Sequence, residues 1–174
     1  MMVDFPLLKT FNIESTVGSF LNKKFEKFRK IYPSSWKERG GNKYKDSGYQ
    51  TPNILFWEED EYQSFLKNKL CDIINDFLKC DWEYHWIHFL DYDVGGEMGA
   101  HVHKHNEDFV LFIYLKTCIT GETVFYLNDQ SPERTLVSIT PTENVGAIFS
   151  SLVMHEGKYT KENKRIFVCG IKMR

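Results

Sequence analysis

Hydrophobic residues change their period once along this 174-residue chain, and the change falls at Cys80. Between Thr16 and Tyr32, the residues Val17, Phe20, Leu21, Phe25 and Phe28 recur at three- and four-residue steps among lysines, which predicts an amphipathic helix stopped by Pro33. Residues 34–53 are polar, glycine-bearing and aperiodic, too long for an ordinary connection and suited to a functional lid or a loosely held excursion. A second helix is predicted over residues 59–80, with Tyr62, Phe65, Leu66, Leu70, Ile73, Ile74 and Phe77 as its apolar face. Past Cys80 the period is two. Eight short apolar or alternating runs, at 82–92, 98–103, 109–116, 123–127, 135–140, 146–149, 155–159 and 166–173, predict a small antiparallel barrel or two-sheet jelly roll. The fold class is therefore mainly β with N-terminal helices, an α+β arrangement. Helices gathered ahead of the strands, and the lack of G-x-x-x-x-G-K or G-x-G-x-x-G, argue against a nucleotide-binding parallel sheet.

Composition narrows this further. One domain is expected at this length, with residues 1–80 as helical support and 81–174 as the β core. The chain is 42% hydrophobic and 16% aromatic, enough for a core without disulfide or metal staples. Its 22 basic and 24 acidic residues give a formal charge of -2, so no whole-chain field calls for nucleic acid or anionic lipid. Cys71, Cys80, Cys118 and Cys169 form no C-x-x-C pair and read as reduced, mostly buried thiols. No secretion signal or apolar stretch of membrane-spanning length is visible, and a cytoplasmic protein without membrane partners is the expectation.

The candidate chemistry lies among the histidines. His101, His103 and His105 form one cluster, and in an extended segment His101 and His103 point to the same side as a pair of imidazole ligands. Two imidazoles held together in an apolar interior are costly unless something coordinates or pairs them, and His155 is the natural third ligand.

The residues around this cluster resemble the iron(II)- and 2-oxoglutarate-dependent dioxygenases of the prolyl 4-hydroxylase type. Tyr92-Asp93-Val94-Gly95 followed by His101 is similar to the family's Tyr-x-x-Gly and His-x-Asp. Ile113-Tyr114-Leu115 is similar to its Tyr-Leu-Asn strand, Gly121-Glu122-Thr123-Val124-Phe125 to its Gly-Glu-Thr-x-Phe strand, and Pro141 with Gly146-Ala147-Ile148-Phe149 to its Pro-x-x-Gly region. His155-Glu156-Gly157 is followed ten residues after the histidine by Arg165, where the family has a basic residue for the co-substrate. The resemblance spans residues 81–174. It implies a double-stranded β-helix, the cupin-like jelly-roll barrel, and a hydroxylase that takes Fe(II), 2-oxoglutarate and O2. It also implies iron ligation by His101 and His155, a 2-oxoglutarate carboxylate on Arg165, and hydrogen bonds from Tyr92, Thr123 and Tyr114. The substrate, a small molecule or a peptidyl residue, is not legible. The alternative on the same architecture is a metal-binding or catalytically altered jelly-roll module without oxygenase activity.

One position departs from the family pattern: His103 stands where the aspartate of His-x-Asp belongs. Three arrangements follow. His103 is itself the third ligand; or a displaced carboxylate, Glu107 or Asp108, fills the place, with His105-Asn106-Glu107 as a shifted His-x-Glu; or a ligand has been lost. The spacing from Tyr92 to His101 and from His155 to Arg165 favours the first, with His101, His103 and His155 as both metal-binding and catalytic residues. Period two in the strand before the site puts Trp82, Tyr84, Trp86, His88 and Leu90 on the face of Tyr92, as a pocket wall or as core. Trp36, Tyr44 and Tyr49 in the long polar segment are candidates for a lid over the site or for scattered surface aromatics.

Overall fold

The computed structural model describes residues 7–33, 48–103, 106–127 and 135–174. The long polar segment with Trp36 and Tyr44 lies mostly outside them, as does His105.

Among the described residues, ten strands form two sheets in which every pairing is antiparallel. All eight expected strand runs are present: β3 (Trp82–Tyr92), β4 (Met98–His101), β5 (Phe109–Tyr114), β6 (Thr123–Tyr126), β7 (Thr135–Ile139), β8 (Val145–Ser150), β9 (His155–Gly157) and β10 (Lys164–Met173). Two further strands, β1 (Leu8–Asn12) and β2 (Gly48–Gln50), add to the edges of the larger sheet, whose order is β1-β8-β5-β10-β3-β2. Neither shows an alternating apolar run of useful length, so pairing and not composition makes them strands. The smaller sheet has the order β4-β9-β6-β7.

The first helix, α1 (Ser15–Ile31), buries Val17, Leu21, Phe25 and Phe28, the predicted stripe, and the Tyr32 amide caps it onto the Phe28 carbonyl. The second runs without a break through α2 (Asp60–Phe65), a π-helical stretch (Leu66–Leu70) and α3 (Cys71–Phe77). Among the described residues no helix is long and apolar enough to cross a membrane.

Period two in the larger sheet divides the core. Phe109, Leu111 and Ile113 of β5, with Phe167, Cys169 and Ile171 of β10, face the helices. Val110, Phe112 and Tyr114, with Ile166 and Val168, face the smaller sheet and meet its Phe125 and Ile139. β5 is consequently buried along its whole length. All four cysteines are free thiols. Tyr49 is no lid residue: it is buried on the helix side, where its hydroxyl donates to the Tyr32 carbonyl at 2.6 Å beneath the Arg29 guanidinium.

β3 corrects the expectation of one continuous aromatic row. Trp86 pairs with Gly170 and Tyr84 with Ile171, leaving His85 as an extra residue in a β-bulge. An extra residue moves every side chain before it to the other face. Trp82 and Tyr84 therefore pack toward the helices, with the Tyr84 hydroxyl donating to the Leu66 carbonyl at 2.7 Å, whereas Trp86, His88, Leu90 and Tyr92 face the space between the sheets.

Candidate metal centre

Between the sheets lies a cavity of about 330 Å³. His101 reaches it from β4, His155 from β9 across the sheet, where the two are register partners, and His103 from the turn after β4. Their nearest ring nitrogens lie within 4.8 Å of one another. The expected three-histidine cluster thus exists as a spatial unit.

The hydrogen bonds around it orient each ring. His101 Nδ1 is 2.8 Å from the Gly99 carbonyl, His155 Nδ1 is 3.0 Å from the Val153 carbonyl, and His103 Nδ1 is 3.0 Å from Glu107 Oε1. Carbonyl and carboxylate oxygens only accept, so each Nδ1 carries the proton and donates. Neutral imidazoles in that tautomer each direct a lone pair from Nε2. The Nε2 atoms of His103 and His155 are only 3.4 Å apart, a repulsive contact between two acceptors unless a cation or a proton lies between them. Burial, and then the neighbouring His101 and His103, push the His155 pKa well below its ordinary value, so this imidazole resists protonation. Three ring nitrogens gathered in this way fit a divalent transition metal, which binds imidazole through a nitrogen that carries no proton.

Neither displaced carboxylate joins the cluster. Glu107 stands behind His103, on its Nδ1 edge, and Asp108 turns away to accept the Met173 amide at 2.8 Å.

Beyond the histidines, the cavity is lined by Tyr92, Thr123, Phe149, Ile166 and Lys164. Tyr114 is fully buried just behind this wall; its hydroxyl lies 2.5 Å from Thr123 Oγ1 and donates to the Ile139 carbonyl at 3.2 Å, which holds the threonine in place.

Arg165 lies elsewhere. Its guanidinium stacks on Phe25 at 3.8 Å and pairs with Glu26 at 3.0 Å and Asp91 at 3.3 Å, on the helix side of the larger sheet. The residue that shares a face with Ile166 and Val168 is Lys164, 1% exposed, whose Nζ donates to the Gly121 carbonyl at 2.8 Å and lies 4.7 Å from the centre of the Tyr92 ring. Burial pushes its pKa down to about 8. Gly121 makes this possible. Its φ of +90° suits glycine, and a Cβ there would sit 2.8 Å from Thr160 Cβ. Strand alternation was the signal that separates Lys164 from Arg165. Gln50 and His85, also on the cavity wall, carried no such signal, because one belongs to an added edge strand and the other to a bulge.

No protein-family model and no curated protein matches the sequence. Solved structures do match the fold. A prolyl hydroxylase from Trichoplax adhaerens, in complex with a hypoxia inducible factor peptide fragment, superposes with a TM-score of 0.75 at 12% identity, covering 96% of this chain and 84% of that one. The fold is that of the 2-oxoglutarate oxygenases. A viral collagen prolyl hydroxylase from Paramecium Bursaria Chlorella virus-1, in its 2-oxoglutarate complex, gives 0.68 at 16% identity over 100% of both chains. HygX from Streptomyces hygroscopicus, with nickel and 2-oxoglutarate bound, gives 0.69 at 10% identity, covering 98% of this chain and 84% of that one.

Proposed function

We propose that this protein is an Fe(II)/2-oxoglutarate-dependent dioxygenase, a hydroxylase with a three-histidine metal site. The observation that carries the reading is the gathering of three imidazoles, one ring nitrogen of each within 4.8 Å of the others, in a cavity that also holds a buried lysine. A cavity with only the histidines would suit any metal-binding module; an ammonium in the same cavity is what a chelating keto diacid requires.

His101, His103 and His155 would hold the iron. Lys164 replaces Arg165 as the anchor for the distal carboxylate of 2-oxoglutarate, with Tyr92 and Thr123 beside it and Tyr114 fixing the Thr123 hydroxyl. When bound, iron(II) and 2-oxoglutarate supply the oxidative chemistry, in which the keto acid gives succinate and carbon dioxide as O2 is consumed. The chain's own part is orientation and exclusion of water: Phe112, Phe149, Ile166 and Val168 make the cavity wall apolar. The substrate, small or peptidyl, would enter past Trp86, His88 and His85.

Anaerobic titration with iron(II) and 2-oxoglutarate tests the reading. A weak visible charge-transfer band, followed on aeration by stoichiometric succinate, is expected. A colourless mixture that forms no succinate would leave a metal-binding module.

A further inference from the structure

We infer that Glu107 is a positioning residue of the metal centre, supplying through His103 the negative charge that a directly coordinating carboxylate would otherwise bring. The inference rests on the three-histidine metal reading above and deepens it.

Among the described residues Glu107 is the one acidic side chain on the wall of the cavity, and only 2% of that side chain is exposed. Its Oε1 takes the His103 Nδ1 proton at 3.0 Å, and its Oε2 has no hydrogen-bond partner among the described residues. A buried carboxylate satisfied through one oxygen by a neutral imidazole is an expensive arrangement. A divalent ion on the far side of the same imidazole removes the expense, because the charge of the metal is felt through the ring it polarises.

Among the described residues the other two histidines differ. His101 and His155 have a backbone carbonyl, which is neutral, at Nδ1, whereas His103 has a carboxylate there. His103 is also held by its surroundings: its ring lies nearly parallel to Trp86, at 6.0 Å and 24°, and to His155, at 5.1 Å and 6°. The backbone brings Glu107 under the ring with a left-handed residue, Asn106 at φ 80°, a conformation that asparagine tolerates. The result is a carboxylate–histidine pair at the one ligand position where His-x-His departs from His-x-Asp. A proton on Nδ1 that leans toward Glu107 makes Nε2 a stronger donor, so His103 acts as a partly anionic ligand.

The test compares the parent protein with Glu107→Gln, a near-isosteric change that keeps an acceptor for Nδ1 and removes the charge. Cobalt(II) alone is titrated into each metal-free protein and read by visible absorption and calorimetry, and the metal-free melting temperature of each is measured. The expected result is 10- to 100-fold weaker cobalt binding in the variant, together with a metal-free melting temperature equal to or above that of the parent. A residue with a merely structural role would lower both. Equal cobalt affinity overturns the inference, and so does a variant whose metal-free form melts lower. A parent that binds no cobalt overturns both this inference and the iron reading. Weakened cobalt binding in a protein that never converts 2-oxoglutarate leaves the role of Glu107 standing and removes the oxygenase.

Discussion

Two adjacent basic residues of β10 have opposite surroundings, and their substitution should separate binding from stability. Lys164→Met removes a buried ammonium from the cavity and should weaken 2-oxoglutarate binding about 100-fold, measured by calorimetry in the presence of metal. Arg165→Met should leave that affinity within about twofold and instead destabilise the fold by about 1–2 kcal/mol, read by denaturant unfolding, because it takes the guanidinium off Phe25, Glu26 and Asp91. Reversed phenotypes would return the anchor to Arg165. The pH dependence follows from the same lysine, whose pKa in the folded protein is pushed down to about 8. Below that value the amine is charged and ready for an anion, and above it the charge is lost. Affinity for 2-oxoglutarate should fall roughly tenfold from pH 7 to pH 9, and a flat profile would exclude the charged amine. Stability runs the other way: the folded value lies below the unfolded one, so the buried charge is most unfavourable below pH 8, and Lys164 becomes less destabilising as pH rises toward its unfolded value.

At the level of the elements, the bulge in β3 decides what the cavity sees. Trp86 lies flat against Gly170 of β10, where a Cβ would come within 2.4 Å of the indole ring. Gly170→Ala should displace the indole from its place beside His103, shift the intrinsic tryptophan emission and lower stability by about 1–3 kcal/mol. Unchanged emission and melting would mean that Trp86 does not depend on this glycine. The same strand shows where reading by period stops. Trp82, Tyr84, Trp86, Leu90 and Tyr92 share one parity in sequence, and nothing there marks His85 as the extra residue; the partner strand, with Gly170 opposite Trp86, reveals it. The two helices and the longer strands were legible because each has an apolar face long enough to show its period, which the four residues of β4 and the three of β9 are not. Strands β1 and β2 were not legible, since they are short edge strands completed by β8 and β3 and hold too few residues to show a period.

For the molecule as a whole, the metal should act as a staple that ties β4 and the segment after it to β9. His101 and His155 come from β4 and β9 of the smaller sheet, and the cavity they share is closed on its other side by β3, β5, β8 and β10. A divalent ion at about 100 times its dissociation constant should add about 2.7 kcal/mol, roughly 5–10 °C in melting temperature for a chain of this size, and a chelator should remove that increment. A melting temperature indifferent to metal would mean that the three imidazoles do not bind it when folded. Local pattern and spacing determined most of the elements, the histidine cluster and the β architecture of the second half, because periodicity and short motifs are properties of contiguous residues. Which carbonyl Lys164 meets, that Glu107 lies on the Nδ1 side of His103, and where Tyr49 packs became visible only on assembly. Each depends on a partner 15 or more residues away in the chain, or on a turn whose path no local pattern encodes.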